Sequence, residues 1–264
     1  MPLWSREGGN SEGKFDFLFQ EPQDAYDVVE WLAKQPWSNG KGAMWGGSYF
    51  GTVQWMTLRE RPPHLATIVP AAAAHVGDFP ALGNIHSSYE VRLLTYVSGL
   101  TGDNSLFLAS PFWIGKYSEM YRQHLSFREL DKLVENNTTV FQEWLQHPAI
   151  DAFWKRLEIS SDQYKQIDVP ILTITGSYDD DEPGALAYYK EHMRYGTDEA
   201  KARHYLLIGP WDHVGSMVMP KKQVGGLTCG DASLLDLNKL HAEWYGWTLK
   251  NGKKPDFLKK RVAY

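Results

Sequence analysis

A serine bracketed by glycines is the feature that most constrains the fold of this chain. Ser48 lies in Gly46-Gly-Ser-Tyr-Phe-Gly51, after a short apolar run at residues 42–45 and before a helical pattern at residues 52–61. A strand that turns directly into a helix needs small residues around the turn, and it projects the side chain at the turn above the sheet. The sequence therefore predicts a strand, a tight turn and a helix, with the Ser48 hydroxyl at the turn.

Strand and helix patterns alternate in both halves of the chain. Further buried strands are predicted at residues 66–71, 169–176 and 204–210, and helices at residues 24–35, 186–193 and 234–249. In the segment from about residue 81 to residue 166, apolar residues recur at helical spacing and few strand signals are present. This order predicts an α/β fold with a mostly parallel sheet. We expect residues 1–80 and 167–264 to form the core and residues 81–166 a helical cap.

Two polar residues follow predicted strands in the order required of a Ser-Asp-His triad. Asp179 comes after a Gly-Ser-Tyr turn, and His213 comes after Gly-Pro-Trp-Asp. A serine hydroxyl is a poor nucleophile unless a base removes its proton. Ser48 is thus the candidate nucleophile, His213 the base and later the acid, and Asp179 the group that fixes the imidazole tautomer. The backbone N–H of Tyr49 is the candidate oxyanion donor.

Each of these assignments has an alternative. The general G-x-S-x-G motif needs glycine at position 50, where Phe50 stands, so residues 46–51 also fit a turn without chemistry. The run Asp179-Asp-Asp-Glu182 is typical of a solvated loop, and Asp180 or Asp181 are alternative acids. As a hypothesis, the carboxylates at 180–182 bind a substrate ammonium. Asp212 is expected to cap or buttress the histidine loop.

Composition and charge exclude several functional classes. The net charge is −5 and basic residues cluster only in the tail, so we expect no nucleic-acid partner. A single cysteine, Cys229, permits no intrachain disulfide and no cysteine-rich metal site, and we predict neither metal nor cofactor. The longest apolar stretch, residues 65–76, is shorter than the roughly 20 residues that cross a bilayer. No signal pattern is present, which favours a cytoplasmic protein that does not bind membranes.

Three segments resemble the signatures of a known family. Gly46-Gly-Ser-Tyr-Phe-Gly51, Gly176-Ser-Tyr-Asp179 and Gly209-Pro-Trp-Asp-His213 are similar to the G-x-S-Y-x-G, G-x-Y-D and G-P-W-x-H motifs of the X-Pro dipeptidyl-peptidase and cocaine esterase family of α/β-hydrolases. The glycine at position 51 fits this family's form. The resemblance implies an α/β-hydrolase with an inserted helical cap. It also implies a serine hydrolase acting on a small or short-peptide ester or amide, such as an α-amino ester, an X-Pro dipeptide or an acyl amide.

The resemblance also predicts that parts of the family's architecture are missing. In family members a tyrosine on a loop well before the nucleophile completes the oxyanion hole, but only 47 residues precede Ser48. No residue is assigned that role. The final segment, Lys259-Lys-Arg-Val-Ala-Tyr264, resembles the first strand leading into a C-terminal β-sandwich. We therefore expect a fragment that lacks the early strands, and a catalytically incomplete structural or binding module is the competing hypothesis.

Overall fold

The computed structural model describes residues 13, 15–76, 81–82, 85–97, 105–136 and 138–264. Its strands are β1 Gly42–Gly47, β2 Leu65–Ala71, β3 Ala81–Leu82, β4 Ile85–His86, β5 Ile171–Gly176, β6 His204–Gly209, β7 Gln223–Val224, β8 Leu227–Thr228 and β9 Val262–Ala263. Its α-helices are α1 Glu21–Ala33, α2 Tyr49–Glu60, α3 Tyr89–Val97, α4 Ser105–Leu108, α5 Ser110–Arg122, α6 Leu130–Leu133, α7 Thr139–Trp144, α8 Ala152–Lys155, α9 Ser161–Tyr164, α10 Glu182–Tyr195, α11 Asp198–Ala202, α12 His213–Met217 and α13 Leu237–Lys250. Short 3₁₀ turns lie at Phe127–Glu129, Asp231–Ser233 and Asp256–Lys259.

The described chain divides into two compact units. The sheet unit comprises Glu21–Asp78 and Leu157–Tyr264, and the helical unit comprises Phe79–Arg156 with the described residues of Met1–Gln20. These divisions differ from the predicted ones at 80/81 and 166/167, and the segment ending at Gln20 groups with the helices rather than with the sheet. Each unit has its own core.

Aromatic packing explains why residues before position 21 group with the helical unit. The Phe17 ring lies edge-on to Trp144 at 5.4 Å between centroids, and Phe19 lies edge-on to Phe153 at 5.0 Å. Aromatic rings bury large apolar areas, so two such contacts are a strong local attachment. Among the described residues, no helix combines the length and the apolar character that a membrane crossing demands.

The sheet unit is built on five parallel strands in the order β1-β2-β5-β6-β9. Because all neighbours are parallel, the carboxyl ends of the strands share one edge of the sheet, which is where sites form in open α/β sheets. The pairing of β5 with β6 runs in register from Ile171 and His204 to Gly176 and Gly209. At the chain's end, β9 extends this same sheet beside β6, a position that the sequence did not predict.

Both faces of the strands β2, β5 and β6 are buried, as is usual for parallel strands. Ile68 and Ile171 pack into a core with residues of α1, α2 and α10. The next residues along the same strands, Val69 and Leu172, point to the opposite face and pack against α13. This alternation is the ordinary period of a strand. It confirms the three predicted buried strands and the helices that cover them, whereas the predicted strand at residues 42–45 forms β1 at the edge of the sheet with exposed and half-buried side chains.

Two fully buried histidines lie in the sheet unit, one on α10 and one at the start of β6. The Nδ1 atoms of His192 and His204 are 2.9 Å apart, and Nε2 of His204 lies 2.8 Å from the Thr173 hydroxyl. A hydrogen bond between two ring nitrogens needs one bare nitrogen as acceptor, so the two Nδ1 atoms cannot both carry a proton. Burial lowers the pKa of His192 to about 4 and that of His204 well below its ordinary value.

We expect the free energy of unfolding to decrease as the pH falls from about 7.5 to about 5.5, because the unfolded chain then binds a proton at His192 that the folded chain does not. In the unfolded chain the pKa of His192 is ~6.5, whereas in the folded chain its pKa is about 4. From about pH 7.5 to about pH 5.5 this residue alone should cost about 1 kcal/mol. Urea unfolding followed by tryptophan fluorescence at the two pH values measures the loss.

Two variants test the source of that dependence. His192→Gln should show a smaller decrease than the wild type, because no base remains to be protonated. His124 is exposed with a φ of 53°, which Asn tolerates, so His124→Asn should keep the wild-type decrease. The same pH dependence in His192→Gln as in the wild type would contradict the assignment.

Candidate active site

The turn that carries Ser48 is strained in the way expected of a nucleophile turn. Ser48 has φ 59° and ψ −129°, a conformation that residues with a Cβ rarely adopt. Its N–H donates to the Ala71 carbonyl of the adjacent strand at 2.9 Å, and its own carbonyl accepts from the N–H groups of Gly51 and Thr52. These bonds hold the turn between β1 and α2, so the strain persists in the folded chain.

The glycine spacing that departs from the general motif has a steric cause. A Cβ at position 51 would lie 2.8 Å from the Ala71 carbonyl oxygen and 3.0 Å from the Ala73 Cβ, so α2 can cross β2 at this distance only with glycine. Phe50, where the general motif has glycine, is 64% exposed and has room for a large side chain. The second glycine is therefore needed at position 51 and not at position 50.

Asp179 and His213 form a hydrogen-bonded pair beyond the ends of β5 and β6. The Nδ1 atom of His213 lies 2.8 Å from Oδ1 of Asp179. The Asp179 side chain is fully buried, whereas 33% of the His213 side chain is exposed and accessible to a substrate. The Asp212 carboxylate accepts from the Gly215 N–H at 2.8 Å and so caps α12, as the sequence predicted.

The electrostatics of the pair fix which nitrogen carries the proton. Burial alone would raise the pKa of Asp179, but the hydrogen bond and the charge of His213 outweigh it and hold that pKa below its usual value. Burial alone would lower the pKa of His213, but Asp179, with Asp181 and Asp180 behind it, holds that pKa above its usual value. An ionised carboxylate on Nδ1 leaves Nε2 as the proton acceptor, which is the tautomer a general base needs.

The fold brings the helix of His213 against the turn of Ser48. A Cβ on Gly47 would lie 2.1 Å from the Met217 side chain, so α12 packs directly beside the residue that precedes Ser48. Ser48, Asp179 and His213 thus follow strands of one parallel sheet and lie at its carboxyl edge. Tyr49 is the first residue of α2, where N–H groups have no partner within the helix.

The alternative acids lie farther from the imidazole. Asp181 Oδ2 is 3.8 Å from His213 Nδ1, against 2.8 Å for Asp179. Ligand atoms of Asp179, Asp180 and His213 also come within 4.8 Å of one another, a spacing at which they could hold a cation. Because Nδ1 of His213 donates to Asp179, only Nε2 would be available for such a cation, and the arrangement fits a general base more closely.

Sequence reasoning missed the residue that folds the histidine loop back. The Trp211 ring covers Gly209, where a Cβ would lie 2.2 Å from the ring, and its indole N–H donates to the Ser233 carbonyl at 2.8 Å. The Trp211 carbonyl accepts from the Tyr178 N–H at 3.0 Å, which connects the two loops that carry Asp179 and His213. The segment Gly209-Pro-Trp211, two residues before His213, was the part of the sequence that could have indicated this tryptophan.

The chain matches a known protein family over most of its length. The family described as X-Pro dipeptidyl-peptidase (S15 family) matches residues 5–215, a range that includes Ser48, Asp179 and His213. This chain belongs to that family. Among curated relatives, the cocaine esterase of Rhodococcus sp. (strain MB1 Bresler) is 25% identical over 219 residues, which are 77% of this chain and 36% of the esterase.

Solved structures similar to this S15-family chain confirm its α/β-hydrolase fold. An aminopeptidase from the marine sediment archaeon Thaumarchaeota archaeon aligns with a TM-score of 0.68 and 23% identity. An α-amino acid ester hydrolase aligns with a TM-score of 0.67 and 21% identity. Each alignment covers 97% of this chain and 44% of the other. The chain thus spans less than half the length of these relatives.

The strain at Ser48 predicts an unusual order of stabilities. Ser48→Gly should be more stable than Ser48→Ala by about 1 kcal/mol, although both lack the hydroxyl, because only alanine keeps the Cβ that disfavours this conformation. Urea unfolding of the two variants measures the difference. At Ser161, the first residue of the helix α9, the same pair should show the opposite order. Equal stability of the two variants at position 48 would show that the turn is unstrained.

The Asp179 hydrogen bond predicts the direction in which the His213 pKa moves. In Asp179→Asn the charge that raises the pKa is gone while the burial that lowers it stays, so the pKa should fall. An NMR titration of the imidazole, assigned with His213→Gln, measures it. Asp198→Asn removes the charge of a side chain that is 99% exposed, and it should leave the pKa of His213 unchanged. An unchanged or higher pKa in Asp179→Asn would contradict the pairing.

Proposed function

We propose that this chain is a serine hydrolase that cleaves an ester or amide through an acyl-enzyme, with Ser48, His213 and Asp179 as its triad. The observation that carries the proposal is the buried Asp179 carboxylate bonded to a partly exposed His213 at the edge of the sheet that also presents Ser48. Membership of the S15 family and the similarity to an esterase, an aminopeptidase and an α-amino acid ester hydrolase support it.

The proposed reaction proceeds in two steps. His213 Nε2 takes the Ser48 proton as Oγ attacks the acyl carbon, and the proton then passes to the leaving alcohol or amine as the bond to the acyl carbon breaks. A water molecule then attacks the acyl-enzyme and gives a proton to His213, which passes it to the Ser48 Oγ as the bond from Oγ to the acyl carbon breaks and the acid is released. Asp179 stabilises the imidazolium in both steps.

The oxyanion of each tetrahedral intermediate would lie at the start of α2. The backbone N–H of Tyr49 is the proposed donor, and the positive end of the helix dipole favours negative charge at the same place. One such donor is worth about 10²–10³ in rate where its removal has been measured. This helix end therefore accounts for part of the proposed stabilisation.

Covalent labelling tests the nucleophile. An alkyl fluorophosphonate should form one adduct, on the Ser48 Oγ, which peptide mapping by mass spectrometry locates. Ser48→Ala should not be labelled, and His213→Ala should be labelled at least about 10³-fold more slowly because the base is missing. Ser161→Ala, at the half-buried first residue of α9, should react like the wild type.

Ester turnover distinguishes an active hydrolase from a catalytically incomplete binding module that has the same fold. The 264-residue chain should hydrolyse a nitrophenyl ester, and His213→Ala should abolish the activity. An adduct on another residue, or full activity in Ser48→Ala, contradicts the assignment of the nucleophile. A folded wild type that neither reacts with the phosphonate nor turns over the ester supports the binding module.

We further propose that the substrate carries a free amino group next to the acyl carbon. The carboxylates of Asp180, Asp181 and Glu182 follow the acid of the triad, and Asp181 reaches within 3.8 Å of His213. An ammonium group binds favourably beside ionised carboxylates that are partly shielded from water. Two of the similar structures, by their names, are of an aminopeptidase and an α-amino acid ester hydrolase.

Paired substrates test the ammonium proposal. The value of kcat/KM should be at least about 10-fold higher for an α-amino ester than for its deaminated analogue, a preference of about 1.4 kcal/mol. Asp181→Asn should reduce that ratio, whereas Glu199→Asn, on the exposed side of α11, should preserve it. Because the ratio is used, any general effect of Asp181 on His213 cancels. Equal kcat/KM values for the two esters in the wild type would reject the ammonium site.

A further inference from the structure

A contact behind the nucleophile turn is not used by the mechanism above. The Tyr49 hydroxyl donates a hydrogen bond to Oε1 of Glu21, although the two residues are 28 positions apart. Glu21 is the first residue of α1 and Tyr49 the first residue of α2. The other carboxylate oxygen of Glu21 is buried as well. The contact therefore joins the starts of two packed helices beside Ser48.

We propose that Glu21 is a positioning residue that holds Tyr49, and through it the oxyanion-binding N–H, in place. The inference rests on the proposed function, since it assigns a role to the N–H that the triad mechanism uses. In the proposed mechanism Glu21 contacts neither the Ser48 hydroxyl nor the acyl group. It acts only through the Tyr49 side chain.

The position of Tyr49 in its helix explains why a tether is needed. The hydrogen bonds of α2 hold this peptide at its carbonyl end, where Ser48 accepts from the N–H groups of Gly51 and Thr52, but an α-helix provides no acceptor for the N–H of its first residue. The preceding residue, Ser48, has the strained backbone described above, which would relax if the peptide could turn. A hydrogen bond on the Tyr49 side chain holds the residue from its other end.

The chemistry of the pair suits a permanent contact. Burial, together with the negative charges of Glu21 and Asp24, raises the pKa of Tyr49 well above its ordinary value, so the phenol keeps its proton and remains the donor. Glu21 lies in the first turn of α1, where the helix dipole favours a carboxylate. A neutral phenol and a carboxylate form one of the stronger types of hydrogen bond.

Three variants remove or retain this bond. Glu21→Ala removes the acceptor and Tyr49→Phe removes the donor, while Glu21→Gln keeps an oxygen that can accept. Asp27→Ala, an exposed acid on the same helix, is the matched control. The probe is again an alkyl fluorophosphonate, whose reaction with Ser48 develops negative charge on a phosphonyl oxygen and so depends on the oxyanion donor.

Saturation kinetics of labelling separate positioning from general damage. Glu21→Ala and Tyr49→Phe should each lower the maximal rate of inactivation by about 10- to 100-fold with little change in the half-saturating concentration, since a displaced donor loses part of its full effect. The double variant should be no slower than the worse single one, because both remove the same bond. Glu21→Gln should recover most of the rate, and Asp27→Ala should match the wild type.

The outcomes distinguish this inference from the proposed function. If wild-type Ser48 is labelled and folded Glu21→Ala and Tyr49→Phe react at the wild-type rate, the positioning role is wrong and the triad stands. Additive losses in the double variant, or no recovery in Glu21→Gln, also overturn it. If the wild type itself is not labelled at Ser48, the proposed function fails first. Should Glu21→Ala not fold, Tyr49→Phe and Glu21→Gln decide the question alone.

Discussion

The parallel register of β5 and β6 is the constraint on which the candidate site depends. Because Gly176 pairs with Gly209, the two loops that follow leave the sheet side by side, and the Ser177 N–H donates to the Gly209 carbonyl at 2.8 Å. A shift of one residue would turn the buried side chains of the strand to the other face of the sheet. The register is therefore held by the core, and the distance between Asp179 and His213 follows from it.

Steric limits at glycines then set the position of Ser48 relative to that pair. Gly51 allows α2 to cross β2, and Gly47 allows α12, which begins with His213, to pack beside the turn. Neither glycine contacts a substrate in the proposed mechanism. Without side chains at these two positions, the turn of Ser48 and the helix that begins with His213 can approach each other closely. Ser48 keeps its strained conformation at this closely packed turn, held by its backbone hydrogen bonds to Ala71, Gly51 and Thr52.

The sequence was sufficient to predict the four strands β1, β2, β5 and β6 and the candidate residues, because both depend on local patterns. Buried strands are apolar runs, and a polar residue just beyond such a run lies at the sheet edge, so Asp179 and His213 could be located without a structure. The role of Gly51 needed the distance to Ala71, which no local pattern contains. The division between units was also missed in part, since it depends on Phe17 packing against Trp144 more than a hundred positions away.

Contacts between distant helices were the least predictable part of the site. The Glu21 and Tyr49 pair depends on how α1 packs on α2, and two polar residues 28 positions apart give no periodic signal. The same is true of His192 and His204, which meet only because α10 lies over β6. Such pairs are found from coordinates, and they suggest how residues that never touch the substrate can still set the geometry of the reaction.

A crystal structure of the chain after reaction with the alkyl fluorophosphonate tests the central claim most directly. We expect a covalent bond from the Ser48 Oγ to phosphorus, a phosphonyl oxygen within about 3 Å of the Tyr49 N–H, and the His213 Nε2 facing the Ser48 oxygen with Asp179 still on Nδ1. An adduct on a different residue, or a phosphonyl group that points away from the start of α2 with His213 out of reach, would contradict it.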